Sequence, residues 1–323
     1  MIKATQLRRT FETRRGREKV QVTAVAGVDI DVHEGEIVGF LGPNGAGKTT
    51  TLKMLTTLLR PTSGTAVVAG HDVSSDPVRV RQAIGYVSQD GAASGEARAG
   101  DEIVDHALLY GIPRARAVSR GRELLDQLDL PNMWTRQAKT MSGGQRRRLD
   151  IAMGLVHDPR LIFLDEPTTG LDPQARANLW THIRGLRDTL GSTVFLTTHY
   201  LDEADALCDR VFVIDHGRIV ASDTPEHLKS AVRGDLIELT VADPSQASEA
   251  ASQLDALPGS SECDVSGVTV SARVPSAGAM LPGLLRGLDA TGVQLTAVDV
   301  RRPTLDDVFL TLTGRSLRDD AAA

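Results

Sequence analysis

The stretch EIVGFLGPNGAGKTT, residues 36–50, decides the fold class of this chain. It begins with a short apolar run, continues through a glycine-rich loop and leads into residues 50–59, which we predict to be helical. The loop matches G-x-x-x-x-G-K-[ST] in the strand–loop–helix setting that this pattern requires, so it predicts a phosphate-binding loop. The predicted binding residues are Gly42, Pro43, Asn44, Gly45, Ala46, Gly47, Lys48, Thr49 and Thr50.

Two side chains of the loop have definite chemistry. Lys48 supplies a positive charge to the β- and γ-phosphates of a nucleotide, and the Thr49 hydroxyl is a ligand for Mg²⁺. A glycine turn before a helix with a chance lysine would explain only part of this pattern. Residue types, spacing and setting all agree with a nucleoside triphosphate site.

The stretch LIFLDEP, residues 161–167, supplies the complementary acids. A P-loop ATPase holds magnesium through an aspartate at the end of an apolar strand, and Asp165 ends this one. Glu166 follows, and strand alternation predicts that it points to the other side, where it can polarise an attacking water. Alone, such an acid pair would be a solvated strand end; beside a phosphate loop it predicts ATP hydrolysis.

Length and composition limit the other possibilities. At 323 residues the chain is expected to form about two domains. A net charge of −6 argues against a general nucleic-acid binder. The two cysteines, Cys208 and Cys263, lie far apart and indicate a reducing compartment rather than a disulfide scaffold. Neither a secretory signal nor a membrane-spanning run is recognised, so we expect a cytosolic chain that reaches a membrane only through a partner.

Residues 1–228 alternate short, continuously apolar runs with longer amphipathic ones. This alternation predicts an α/β domain with a mostly parallel sheet. The predicted buried strands are 36–42, 161–165, 193–199 and 210–215, and the predicted helices are 50–59, 145–157 and 173–190. VQVTAV (20–25) and VDIDV (28–32) alternate polar and apolar residues, which predicts an antiparallel flap. Residues 91–122 are rich in Ala, Gly and Arg and predict a helical insertion without a strand.

Residues 229–323 form a second predicted domain, a small α+β domain. Its order β-α-β-β-α-β, with a hairpin at Ser266–Gly267, is that of a ferredoxin-like fold. The predicted strands are 235–241, 262–265, 268–274 and 293–300, and the predicted helices are 244–256 and 277–288.

The stretch RRPTLDDVFLTLTGR, residues 301–315, predicts a last helix that docks on something. Thr304 and Asp307 fit a capping box. Its apolar face is predicted to consist of Leu305, Val308, Phe309 and Leu312. Residues 316–323 are expected to be frayed.

The motifs resemble the ATP-binding cassette (ABC) family when they are taken together. MSGGQ, residues 141–145, is similar to the family signature L-S-G-G-Q, with Met141 replacing leucine, and TTGLD (168–172) and FLTTHY (195–200) follow in the family's order. The resemblance implies a P-loop NTPase of the ABC type: a mixed, mostly parallel sheet with an antiparallel flap and a helical subdomain. Glycines at a helix start also suit an anion site, since they expose N–H donors at the positive end of the helix dipole.

The resemblance implies roles for further residues. Gln89 would reach the metal and water, so that Thr49, Gln89 and Asp165 surround magnesium. His199 would contact the γ-phosphate, and Asp172 would lie at a dimer contact. Phe11 falls where the family has an aromatic residue stacked on adenine. The signature residues would bind ATP held by a second copy: Ser142, Gly143, Gly144 and Gln145.

Two groups of arginines have less specific interpretations. The basic stretch RRTFETRRGREK, residues 8–19, predicts a solvated loop between two strands in preference to contact with phosphate or lipid. Residues Arg146 to Arg148 spread around a helix, so we predict that they lie mainly at the surface and in an interface.

The C-terminal half is similar to the ATPase subunits of daunorubicin-resistance-type exporters. This resemblance implies an ATP- and Mg²⁺-dependent homodimer with composite ATP sites, peripheral on the cytoplasmic side of the membrane. Its expected partner is a separate integral membrane permease, and it would power efflux of a drug, antibiotic or lipid-like compound. No nucleic-acid partner is expected.

Three alternatives stay open at this point. The first is an importer ATPase with a regulatory C-terminal domain. The second is a soluble ABC protein that acts on ribosomes or DNA, which the single cassette and the acidic balance disfavour. The third is a drug-sequestering module with little turnover, which the presence of Glu166 disfavours.

Overall fold

The computed structural model describes residues 1–15, 18–232 and 234–314. The chain divides into two compact units, one from Met1 to Pro225 and one that begins at Glu226. Within the described ranges, no helix is both long enough and apolar enough to cross a membrane. The tail that we expected to be frayed, residues 316–323, lies outside the described residues.

The first unit contains two sheets and a helical insertion. Its strands are β1 (Ile2–Arg15), β2 (Glu18–Val32), β3 (Ile37–Leu41), β4 (Ser63–Val68), β5 (His71–Asp72), β6 (Ile84–Val87), β7 (Leu161–Asp165), β8 (Thr193–Thr198), β9 (Arg210–Asp215) and β10 (Arg218–Asp223). Its helices are α1 (Lys48–Leu55), α2 (Pro77–Ala83), α3 (Ala99–Leu109), α4 (Arg114–Gln127), α5 (Gly143–Leu155), α6 (Pro173–Leu190) and α7 (Leu201–Leu207). Helix α8 (Pro225–Ser230) starts at the last residue of this unit and continues into the second.

The first sheet is antiparallel, in the order β2-β1-β4-β5. It confirms the predicted flap. The loop interpretation is wrong for residues 8–15 and 18–19, because strand pairing opposes Phe11 to Val22 and Arg15 to Glu18. Residues 16 and 17 of that stretch lie outside the described residues. Ladder hydrogen bonds thus satisfy a backbone that the charged sequence had suggested would be solvated.

The second sheet has the order β10-β9-β3-β8-β7-β6, with parallel pairing everywhere except between β9 and β10. Strands β3, β7 and β8 are buried along their whole length, as their continuous apolar runs predict. In the core, the centroid of the Phe195 ring lies 5.6 Å from that of Phe40 and 5.5 Å from that of Phe163. Because the strands are parallel, their carboxyl ends meet at one edge of the sheet, where α/β proteins bind ligands.

The predicted helices are present with shifted ends. Helix α1 ends at Leu55 rather than at residue 59, because Thr57 adopts a left-handed φ of 64° that a helix cannot continue through. Strand β6 was not predicted, since its four residues are too few to show a periodicity. Helices α3 and α4 supply the expected strand-free insertion.

The second unit is an antiparallel sheet covered by two helices. Its elements are β11 (Asp235–Val241), α9 (Ala247–Asp255), β12 (Ser261–Ser266), β13 (Thr269–Val274), α10 (Ala277–Ala290), β14 (Leu295–Arg301) and α11 (Leu305–Thr313). The strand order β12-β13-β11-β14 is that of a ferredoxin-like fold. Buried Ile237 and Leu239 pack in one core with Leu254 of α9 and Leu284 of α10.

Helix α11 is present where the sequence predicted a last helix. Thr304 and Asp307 form the expected capping box, and Leu305, Val308 and Phe309 are buried. Leu312, the fourth residue of the predicted apolar face, is 43% exposed. It lies in the last helical turn, where the helix stops at a left-handed Gly314.

Candidate functional site

The phosphate loop connects the end of β3 to the start of α1. Gly47 has a φ of 106°, and a Cβ at this position would lie 2.6 Å from the Ala24 carbonyl oxygen. A Cβ at Gly42 would lie 2.2 Å from the Ile214 carbonyl oxygen. Glycine is therefore required at both positions, at the first by conformation and by space and at the second by space alone.

Lys48 is held against the loop from which it projects. Its Nζ donates to the carbonyl oxygens of Gly42, at 2.8 Å, and Pro43, at 3.1 Å. The same nitrogen lies 3.3 Å from Oε1 of Glu166. Burial lowers the pKa of Lys48, and the carboxylates of Glu166 and Asp165 oppose that shift.

Asp165 ends β7 and faces two hydroxyl groups. Thr197 of β8 donates to Asp165 Oδ1 at 2.6 Å, and Thr49 of α1 donates to the same oxygen at 3.1 Å. The Thr197 hydroxyl also accepts from the backbone N–H of Glu166 at 3.0 Å. Thr197 therefore orients both acids from the neighbouring strand.

Glu166 turns towards the phosphate loop as well. Strand alternation had predicted the opposite side, and this is wrong because the residue leaves the strand with a left-handed φ of 45°. Its Oε2 accepts from Gln89 at 3.3 Å and Thr169 at 3.0 Å and lies 3.2 Å from Nδ1 of His199. Burial acts to raise the pKa of Glu166, but the His199 imidazole and the Lys48 ammonium outweigh it and hold this pKa at about 2.

Lys48, Thr49, Gln89 and Glu166 border a cavity of about 340 Å³ at the carboxyl edge of the sheet. Its lining contains a lysine, two threonines, a glutamine and a glutamate, which suits a phosphorylated ligand in contact with a polar, activated water. The lining residues are Ala24, Asn44, Gly45, Gly47, Lys48, Thr49, Thr50, Gln89 and Glu166.

Comparison with known proteins agrees with this geometry. Residues 25–169 match the ABC transporter family, and residues 224–313 match the C-terminal domain of ATP-binding proteins of the DrrA1-3 type. The chain is 43% identical to the daunorubicin/doxorubicin resistance ATP-binding protein DrrA of Streptomyces peucetius, over 98% of this chain and 96% of that protein. The chain belongs to the ABC ATPase family.

This ABC ATPase is also similar to a second resistance protein and to a solved structure. It is 35% identical to the linearmycin resistance ATP-binding protein LnrL of Bacillus subtilis, over 92% of this chain and 96% of that one. A solved dimeric bacterial ABC transporter cassette superposes with a TM-score of 0.61 at 25% identity, covering 69% of this chain and 98% of the cassette. An ATPase that binds ATP follows from the family and from the site together.

The signature residues of the ABC ATPase lie at the start of α5. Ser142 caps the helix by accepting from Gln145 N at 3.3 Å, and Gln145 Oε1 accepts from Ser142 N at 3.0 Å. Cβ atoms at Gly143 and Gly144 would lie 3.3 and 3.2 Å from side chains of Leu171 and Ala175. These four signature residues are not among the described residues that line the phosphate-loop cavity.

Other predicted site residues are also absent from the described lining. Asp165 and His199 contact the lining residues Thr49 and Glu166. The remaining ones are Gly42, Pro43, Ala46, Asp172 and Phe11. Asp172 caps α6 by accepting from Ala175 N at 2.9 Å. Phe11 lies on β1 with the Arg9 guanidinium 4.7 Å from its ring centroid, and it is not among the described lining residues. Ala24, which lies on β2 of the same β1–β2 hairpin, does line the cavity.

The burial of Arg147 was not predicted from the sequence. The prediction that it belongs to the surface is wrong, because only 7% of it is exposed. A signal was available: on a helix, Arg147 shares one face with Asp150, Ile151 and Gly154, all of which are buried. That stripe predicts an inward guanidinium.

Proposed function

We propose that this chain is the ATP-hydrolysing subunit of an ABC exporter that drives efflux of a drug, antibiotic or lipid-like compound. Two observations support export. The match to DrrA, a daunorubicin/doxorubicin resistance ATP-binding protein, covers almost the whole chain. The match to LnrL, named for linearmycin resistance, extends over the C-terminal part as well as the cassette. These relatives are named for resistance to different compounds. We therefore propose a chemical class of cargo rather than one compound.

The contacts at the cavity support a role for each acid and base. Lys48 and the N–H groups of residues 42–50 hold the phosphates, and Glu166 accepts a proton from the attacking water. His199 stabilises charge that develops on the γ-phosphate. Gln89, already within hydrogen-bond distance of Glu166, orients the water.

The donor set also fits Mg²⁺. The hydroxyl of Thr49 and a carboxylate oxygen of Asp165 lie 3.1 Å apart, and Mg²⁺ prefers such oxygen ligands. We assign these two residues, with Gln89, to the metal. Bound there, Mg²⁺ neutralises charge on the β- and γ-phosphates.

The observation that carries the mechanism is the position of the signature helix. Its first turn exposes Ser142 and Gly143 to solvent, outside the cavity that holds Lys48. A helix N-terminus with free N–H groups binds phosphate. We propose that Ser142, Gly143, Gly144 and Gln145 bind ATP held by the phosphate loop of a second copy, with Asp172 at the contact. The dimeric state named for the similar solved cassette supports this arrangement.

We place the domain boundary between residues 228 and 229, with a nucleotide-binding domain before it and an accessory domain after it. The division between compact units near Glu226 and the start of the C-terminal family match at residue 224 support this position. A separate permease would supply the membrane path, with this subunit bound peripherally on the cytoplasmic side. Phe11 is kept as the residue proposed to stack on adenine.

The test uses Glu166→Gln in the full chain. We expect turnover to fall about 10²- to 10⁴-fold, the usual contribution of a general base. The variant should accumulate as a dimer with saturating Mg-ATP, which light scattering after size-exclusion chromatography measures. Glu34→Gln, an exposed acid paired with Arg160, is the matched control and should behave like the wild type. A Glu166→Gln protein that stays monomeric with saturating Mg-ATP would refute the composite site.

Export is tested separately with the membrane partner. A neighbouring gene that encodes a protein with several apolar spans would support transport. A neighbouring gene that encodes a periplasmic-type binding protein would favour import. In the purified complex, compounds that are cargo should stimulate ATP hydrolysis. Lack of stimulation by any hydrophobic drug or lipid, with active ATP hydrolysis, would overturn the exporter assignment.

A further inference from the structure

The Arg147 guanidinium joins two segments of the proposed active site through three carbonyl oxygens. Its Nε donates to the Pro167 carbonyl oxygen at 2.9 Å, and its Nη2 donates to the Asp165 carbonyl oxygen at 2.9 Å. Its Nη1 donates to the carbonyl oxygen of Ser88, the residue before Gln89. A planar guanidinium presents donors in a fixed fork, so one side chain sets the spacing between the Gln89 segment and the end of β7.

Asp150 holds the other side of the same segment. Its Oδ1 accepts from the backbone N–H groups of Ala92 at 2.9 Å and Ala93 at 3.0 Å, and the residue is 4% exposed. Gly91 has a φ of 77°, and a Cβ there would lie 2.6 Å from Asp150 Oδ2. Gln89 is therefore bracketed by two buried contacts, one on each side in the chain.

Both contacts come from one face of α5. Arg147 and Asp150 are three residues apart, which places them side by side on a helix. The first turn of this helix is the exposed signature end, capped by Ser142. One helix thus has a solvent-facing end, proposed to bind phosphate, and a buried face that contacts Asp165, Pro167 and the residues on either side of Gln89.

We propose that Arg147 and Asp150 are positioning residues that couple the two ATP sites of the dimer. This inference depends on the composite site proposed above. Nucleotide held by the partner binds the start of α5; any shift of α5 is passed by Arg147 and Asp150 to Gln89 and to the backbone of Asp165. The residues that touch magnesium and water in one site therefore respond to occupation of the other.

The first test compares Arg147→Ala with Arg147→Lys and a matched control. We expect Arg147→Ala to lower kcat about tenfold or more, with ATP binding to the monomer changed less than about threefold, because the phosphate loop is untouched. The Hill coefficient for ATP hydrolysis should fall to about 1. Arg147→Lys should restore only part of the rate, since an ammonium cannot serve three carbonyls in fixed directions.

Arg148→Ala is the control, since Arg148 is the next residue on α5 and donates at 3.0 Å to the Leu128 carbonyl oxygen, away from the site. The Arg148→Ala variant should keep the wild-type Hill coefficient even if its free energy of unfolding is lower. If Arg147→Ala is not folded, Asp150→Ala and Asp150→Asn give the same test. The amide oxygen of Asn can still accept from residues 92 and 93, so Asp150→Asn should recover the cooperativity that Asp150→Ala loses.

The two proposals fail in different ways. Dimerisation is measured in Glu166→Gln combined with Arg147→Ala, and we expect an ATP-dependent dimer to form. A wild-type Hill coefficient in Arg147→Ala or Asp150→Ala overturns the coupling and leaves the composite site in place. Absence of the dimer in Glu166→Gln alone overturns the composite site, and the coupling with it.

Discussion

The ammonium nitrogen of Lys48 lies 3.3 Å from Glu166 Oε1, with both residues less than a tenth exposed. The residue proposed to bind phosphate and the residue proposed to activate water thus share one contact. A carboxylate with a pKa of about 2 is a poor proton acceptor. Phosphate oxygens that take over the contacts of Lys48 and His199 would release Glu166 from both partners. ATP binding and activation of the base are thereby linked.

The depressed pKa of Glu166 predicts a specific dependence of stability on pH. Its folded pKa of about 2 lies below the ordinary 4.5, so the carboxylate contributes stability that is present above pH 4.5 and lost as the pH falls through 2. Glu166→Gln removes this contribution. The difference in unfolding free energy between wild type and variant should therefore shrink by about 2 kcal/mol from pH 6 to pH 3. Urea unfolding at several pH values measures it; a constant difference would contradict the ion pairs around Glu166.

Thr197→Val should damage catalysis more than stability. Thr197 and Thr193 are both fully buried on β8. The Thr197 hydroxyl makes a buried hydrogen bond to Asp165, and the Thr193 hydroxyl accepts a partly buried one from Gly35 N. Either valine variant should cost about 1–3 kcal/mol of unfolding free energy. Thr197→Val should also lower ATP turnover roughly tenfold or more, because it releases the acids, whereas Thr193→Val should not. Calorimetry and phosphate release report the two effects; equal turnover in both variants would contradict the role of Thr197.

Gly47→Ala should abolish ATP binding. Gly47 and Gly70 both have left-handed φ values, 106° and 84°, so alanine strains the backbone at either position by about 1–2 kcal/mol. At Gly47 the new Cβ also meets the Ala24 carbonyl oxygen at 2.6 Å, whereas at Gly70 it meets nothing within 4 Å. Gly70→Ala is therefore the control and should bind ATP as the wild type does. Titration calorimetry checks this, and near-normal affinity in Gly47→Ala would show that the loop tolerates displacement.

Phe309→Ala should destabilise the second unit far more than Leu312→Ala. Phe309 is fully buried and Leu312 is 43% exposed, although both lie on α11. Removing a buried phenyl group costs about 3–5 kcal/mol, and an exposed truncation roughly 0.5 kcal/mol. Hydrogen exchange of residues 235–314, read by mass spectrometry, separates this unit from the rest of the chain. Similar protection in the two variants would contradict the burial of Phe309.

Local features explain why much of the fold and of the site was predictable. Strands β3, β7, β8 and β9 were predicted from continuous apolar runs. The phosphate loop was predicted because phosphate binding needs glycines and a lysine at fixed spacing. The βαββαβ order of the second unit follows from the same kind of pattern. Charge misled the interpretation in two ways: the basic β1–β2 hairpin is exposed but is paired strand rather than loop, and Arg147 is buried.

The sequence by itself determined which residues form the predicted phosphate loop, because Lys48 and Thr49 are placed by a contiguous loop and the first turn of a helix. Only the tertiary structure decided what those residues touch. Glu166 reaches Lys48 through a left-handed turn that strand alternation does not contain, and Arg147 reaches three carbonyls on segments far away in the chain. The physical reason is that a periodic pattern encodes which face of an element is buried, whereas a buried polar group is specified by the partners that packing brings to it.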